Sequence, residues 1–384
     1  AAVRLATNSP KPVVIRLEFN GRLEDEPFNI FTNDLTIEAA ASFQPVVAFT
    51  PKVDDYALDG MIRVHSTKLT IRNVHFRFDV PDQVVNSWAL FDLQQIDSIV
   101  LNNSVLTIRN SRDNVPVFHD RVAFFRSPGP SILESTEMPA DDVEMSRPEI
   151  RLNNCIARGQ ATLLRLERAA AYWLLWEDGL FVSSESLLHS TSRSTPIKGP
   201  GEKIDLELDH VTVIAPKGLA QVDIQSNAPH HMIVATTLVK SVVLSNPEVA
   251  LYEQRGVKNA ENTPDELAAE ISKIVTMRGR DNFYPRTSLL ARIDPMLGAD
   301  TQLTWSVEKL REYDMWYTER GSIYGQAVIW SQDVSPQISL DQHTKYDYEL
   351  TPEDGLRDQL PGFRELPEIR DHTAVVPIEP APIP

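Results

Sequence analysis

Apolar and polar residues alternate in short runs along most of this chain, and several of the runs look alike. They are Leu69-Thr70-Ile71-Arg72-Asn73, Ile99-Val100-Leu101-Asn102-Asn103, Ile150-Arg151-Leu152-Asn153-Asn154, Leu174-Leu175-Trp176-Glu177-Asp178, Leu206-Glu207-Leu208-Asp209-His210 and Met232-Ile233-Val234-Ala235-Thr236. Side chains alternate across a strand, so the first, third and fifth residues of each run share a face. The first and third are apolar throughout, and the fifth is Asn, Asn, Asn, Asp, His and Thr in turn. Such a ladder predicts an all-β solenoid of stacked coils. An earlier copy is Leu35-Thr36-Ile37-Glu38-Ala39, and successive polar ends from Asn73 to Thr236 lie 24 to 51 residues apart. About seven or eight coils are expected. The longest step holds an insertion, 109–147, rich in Pro and acid, which reads as an exposed loop.

A second strand family falls between the ladder runs, at 46–49, 61–64, 89–93, 123–125, 162–166, 220–224 and 249–252. Each coil therefore has at least two strands, with a third expected. The polar fifth position has a physical reason. Amides stacked at a coil corner can hydrogen-bond along the axis, and Asn tolerates the left-handed backbone of a tight corner. Asn73, Asn103, Asn154, Asp178, His210 and Thr236 are the expected ladder, with Asp178 pointing inward.

The ends break the rhythm. Residues 1–7 read as a short helix that, with a strand at 13–19, caps a β-helix spanning 1–257. Thr263-Pro264-Asp265-Glu266 is a helix start, with a capping Thr, Pro at the first turn and acids behind it. It predicts a helix over 265–277, then a strand at 288–293 and a second helix over 306–313. These form a small α/β C-terminal subdomain, 258–334. Residues 335–384 are polar and Pro-punctuated, and read as an extended strap or linker over the open end of the solenoid.

Composition narrows the class. The 384 residues carry a formal net charge of −17, which makes nucleic acid and anionic membrane surfaces poor partners. No apolar run approaches the ~18 residues a membrane helix needs. The single cysteine, Cys155, excludes an internal disulfide and reads as a packed small residue. The chain opens Ala1-Ala2-Val3 without an initiator Met, and reads as a processed product or part of something longer.

The opening stretch, the Leu35–Val47 run, Leu69-Thr70-Ile71-Arg72-Asn73-Val74-His75-Phe76, Asn154-Cys155 and Asp281-Asn282-Phe283-Tyr284 carry a resemblance. Together with the Trp305-Ser306 pair, they resemble pectate-lyase-like right-handed parallel β-helices. More narrowly, they resemble β-helix regions of planctomycete proteins, some attached to serine/threonine kinase domains. The resemblance spans residues 1–320. It implies a right-handed helix facing outside the cytoplasmic membrane, and one expectation is the sensory region of such a kinase. The chain has no kinase signature of its own.

Candidate chemistry was weighed on that frame. Polysaccharide lyases of this kind use acids on successive coils to hold calcium, plus a basic proton acceptor. The acids here are Asp178, Asp205, Asp209 and Asp223. Asp205 and Asp209 share an outward face with Glu207 between them. They are the catalytic alternative, and calcium is implied only under it. No hydrolase or esterase motif occurs, and no metal site follows from His189, His210, His230 and His231. Trp176 aligns with core positions, whereas Tyr172 and Trp173 precede the strand and read as an exposed platform for a sugar or a protein. The expected function is a non-catalytic recognition or scaffold module of the bacterial envelope, with no cofactor, binding a protein or glycan along its long faces. A cytoplasmic location is the alternative.

Overall fold

A computed structural model of the chain describes residues 11–31, 34–51, 60–82, 87–129, 147–194, 196, 203–256, 266, 275–285, 289–294, 302–306, 317–324, 339–348, 361–364 and 366–368. Strands dominate these residues and nearly all their pairings are parallel, as in a solenoid of the β-helix kind. Each coil runs through three faces. Asn73 follows the first-face part of Gly60–Arg72, His75–Asp79 forms the second face, and Trp88–Asn102 begins on the third before entering the next coil.

The ladder residues that read as apolar stack in register. Leu35, Leu69, Ile99, Ile150, Leu174 and Leu206 form one column, and Ile37, Ile71, Leu101, Leu152, Trp176 and Leu208 the next. All are buried. The second face adds Phe76, Leu106, Ala157, Phe181 and Val213. The third adds Ile62, Phe91, Phe125, Leu164 and Leu188, with Phe91 and Phe125 stacked at 5.2 Å. Burying one such side chain contributes about 1.5–3 kcal/mol, so the axial columns are the main source of stability.

The corners between first and second faces share one backbone feature. Asn73, Asn103, Asn154, Asp178 and His210 all have φ between 49° and 57°. The column continues through Lys240 (φ 45°) and Asp281 (φ 57°), not through Thr236. Thr236 pairs with Leu206 inside Ile233–Val239, and is buried at an inward position other coils give to Leu, Ile or Met. A polar residue facing inward displaced the sequence register by four. Asn103 Nδ2 donates to Asn73 Oδ1 at 2.6 Å, and Asn154 Nδ2 to Asn103 Oδ1 at 3.0 Å.

Other expectations differ in detail. Within 109–147, Val122–Ser127 is a third-face strand paired with Trp88–Asn102 and Thr162–Leu166, and residues 130–146 lie outside the described residues. The strand Val275–Arg280 replaces the end of the helix read over 265–277: Val275, which fits a helical stripe, also alternates with buried Met277 at a period of two. Glu266 is helical, and the rest of that helix lies outside the described residues, as do residues 1–7 and 307–313. Ser306 ends the strand Leu303–Ser306. In 258–334 the described strands prolong the same ladder: Val275–Arg280 pairs with Ile233–Val239 and with Tyr317–Arg320. Leu303–Ser306 lies antiparallel on Leu289–Asp294 and covers the last third-face edge.

Candidate functional site

The acidic strand is built into the solenoid wall. Asp205 and Asp209 lie in Lys203–Ile214, and Asp205 sits directly beside Trp173 of Tyr172–Ser183. Asp205 is buried, paired with Arg147 and, at 2.9 Å, with Lys203 Nζ. Glu207 accepts a 3.0 Å hydrogen bond from the Trp173 indole, whose ring lies under the Arg147 guanidinium. Asp209 accepts from or pairs with His210 Nδ1 at 2.6 Å. Three carboxylates share a face, and each is engaged within the chain. Tyr172 is not on the surface: it is 3% exposed, and burial raises its hydroxyl pKa to about 12. The run before the ladder strand is itself strand, so Tyr172 and Trp173 alternate in and out.

The outward row of the third face is a chain of charges one coil apart. Arg63, Asp92, Arg126, Arg165, His189, Gln221, Glu253 and Arg292 follow one another in register. Asp92, wholly buried, accepts from Arg63 Nε at 3.1 Å, Gln94 Nε2 at 2.7 Å and Arg126 Nε at 3.2 Å. Arg165 Nη1 donates to His189 Nδ1 at 3.0 Å, which leaves the His189 Nε2–H to donate to Asp223 Oδ2 at 2.7 Å. Burial works to raise the pKa of Asp223 and of Glu253. Hydrogen bonds and charge, from His189 for the first and from Arg292 and Arg255 for the second, outweigh it and hold both low. Both His189 nitrogens are thus engaged, while Asp223 Oδ1 is buried with no hydrogen-bond partner among the described residues. The row holds the face together.

His231 and the thiol are engaged or buried within the wall. His231 Nδ1 donates to the Met232 carbonyl at 2.6 Å and Nε2 meets Ser190 Oγ at 2.9 Å, with its pKa lowered by burial to about 4. His230 bridges Arg193 through the backbone. Cys155 is buried and its thiol pKa is raised by burial to about 12. Among the described residues no group of three or more His, Cys, Asp or Glu is placed to hold a metal ion.

The feature that sequence reading missed is a filled groove on the second face. Its floor is two outward columns, Val105, Ile156, Leu180, Thr212 and Val242, and beside them Thr107, Arg158, Val182, Ile214 and Leu244. One wall is the corner column. The C-terminal strap lies in the groove: Leu366 and Tyr348 are buried against Val105, Ile156, Leu180 and Val182. Gly362 N–H donates to the Lys240 carbonyl at 2.7 Å, and Arg364 reaches both carboxylate oxygens of Asp178, at 2.9 and 2.8 Å. The segment 339–348 forms the other wall, where Arg158 donates to the His343 carbonyl and Lys345 Nζ to the Leu366 carbonyl at 2.8 Å. The strap thus lies along the flank, and Asp178 points out to meet it. Around Pro367 and Glu368 the described residues that line the groove include Phe43, Pro45, Asn73, Val74, His75 and Asn103.

One signal was available. Val105-Leu106 and Leu180-Phe181-Val182 are apolar at consecutive positions, so both faces of those strands need cover. No family model matches the chain, and neither a curated protein nor a solved structure matches it.

Proposed function

We propose that the chain is a non-catalytic recognition or scaffold module that takes an extended polypeptide into the groove on its flank. The observation that carries this reading is the strap itself, a Pro-bounded segment without regular secondary structure, seated across successive coils by Leu366, Arg364 and the Gly362 amide. Flat solenoid flanks suit long, linear partners, because each coil repeats the same spacing. The right-handed sense of the coils, the kinship with pectate-lyase-like helices and kinase-attached planctomycete regions, and a place in the bacterial envelope belong to the same proposal.

The engagement of Asp205, Glu207 and Asp209 by Arg147, Lys203, Trp173 and His210 favours binding over catalysis at the acidic strand. The test has two arms. A peptide array probed with the full chain is expected to give saturable binding, mapped by hydrogen exchange to 105–109, 155–159 and 179–183. A polyuronate panel is expected to stay intact. Release of unsaturated sugar, lost on Asp205→Ala with Asp209→Ala, would overturn the reading in favour of a lyase.

A further inference from the structure

Resting on that reading, we propose that the groove recognises a segment of the pattern Gly-Phe-Arg-x-Leu-Pro, and that residues 362–367 are its resident copy. The strap blocks the groove until a partner polypeptide with the same pattern displaces it.

Three positions read the pattern. At Gly362, φ is +106°, and a Cβ would come within 2.8 Å of Thr212 Oγ1 and 3.3 Å of Val242 Cγ2, so the slot excludes a side chain. Two residues on, Arg364 meets Asp178, a carboxylate in a corner column whose neighbours are Asn154 and His210. A planar guanidinium fits that carboxylate through two parallel bonds, which an ammonium cannot do. The Arg364 backbone N–H also donates to Asp178 Oδ1 at 3.3 Å. Two residues further, Leu366 is 4% exposed among Val105, Ile156, Leu180 and Val182. The chain bends at Gly362 and Arg364, and Phe363 between them adds a fourth contact, partly buried against the same apolar cluster.

The seat is built for exchange. The Arg364 side chain is 54% exposed, so a competing guanidinium can reach Asp178 from solvent. A tethered strap acts at roughly millimolar effective concentration, so it holds weak competitors out and admits a tighter one.

The experiment uses the full chain and a fluorescein-labelled peptide with the sequence of residues 359–370. Fluorescence anisotropy compares the native chain with the Gly362→Ala, Arg364→Ala double variant, whose own strap cannot seat. Both changes lie outside the ladder, and a retained β circular dichroism spectrum checks the fold. The expected result is binding at least ~10-fold tighter to the double variant, with a further loss of ~10-fold when the peptide residue matching Arg364 is replaced by alanine or when Asp178→Asn is added. Equal binding to both chains overturns the inference. So does a scrambled peptide that binds as well as the native one, although polypeptide binding along the flank would then stand. If no peptide binds the double variant, including a random-sequence pool, both the inference and the reading beneath it fall.

Discussion

Asp178 and Arg364 stand 186 positions apart in sequence and are joined by two hydrogen bonds of 2.9 and 2.8 Å. Asp178 occupies a left-handed corner with φ +50°, and that corner aims its carboxylate at the strap. A local backbone requirement and a long-range contact are met by the same residue.

Removing either partner should loosen the strap and leave the coils intact. The pair is half exposed, so its worth is about 1 kcal/mol. Arg364→Ala and Asp178→Asn are each expected to speed amide exchange at 361–368 while exchange in Ile150–Leu152 stays unchanged. Equal acceleration in both places would mean that the strap and the coils open together.

Asn103 sits between two amide neighbours with φ +49°. Asn103→Leu loses both hydrogen bonds and strains the corner, and should lower stability by about 2–4 kcal/mol. Asn103→Gly keeps the backbone freedom and loses only the bonds, so it should cost about 1–2 kcal/mol. Urea denaturation of the two variants separates the terms, and equal losses would show that backbone strain contributes nothing.

His231 gives the fold a dependence on pH. Burial lowers its pKa to about 4 in the folded chain, against ~6.5 unfolded. The unfolded state therefore binds a proton first, so stability is full above about pH 6.5 and falls as pH drops towards 4. The slope integrates to about 3 kcal/mol at most. His75, lowered well below its ordinary value by burial, acts with the same sign. Thermal melts from pH 4 to 7 should steepen in this window, and His231→Phe should flatten them. An unchanged profile in that variant would assign the dependence to other groups.

Cys155 should resist thiol reagents. With its pKa raised to about 12, it holds almost no thiolate at pH 8. Modification by a disulfide reagent is expected to be at least ~100-fold slower in the native chain than in urea. Rapid native labelling would show that the second corner position opens to solvent.

The first-face ladder was legible in sequence because its signal is local and repeated. Ile99 and Leu101 before Asn103 say the same thing as Ile150 and Leu152 before Asn154. The reading slipped at Thr236, where an inward threonine took the place of leucine and made Lys240 invisible as a corner. It extended a helix into Val275–Arg280 because a good capping box at Thr263 fixes where a helix starts, not where it stops. The strap was visible as an extended segment, but its seat was not. One arginine, one glycine and one leucine on a Pro-rich tail carry no periodicity, and their partners lie on coils far away in sequence.

The groove also bears on how such a chain can change over generations. Solenoids lengthen and shorten by whole coils, because each coil touches only its neighbours. Here the strap measures a fixed distance, from the Lys240 carbonyl past Asp178 to the pocket that Pro367 and Glu368 share with Asn103. A coil duplicated or lost between those points would carry Arg364 opposite an asparagine or a histidine instead of its carboxylate. The tail is a gauge for the middle of the molecule, and tolerance for added or missing coils belongs to the stretches outside its span.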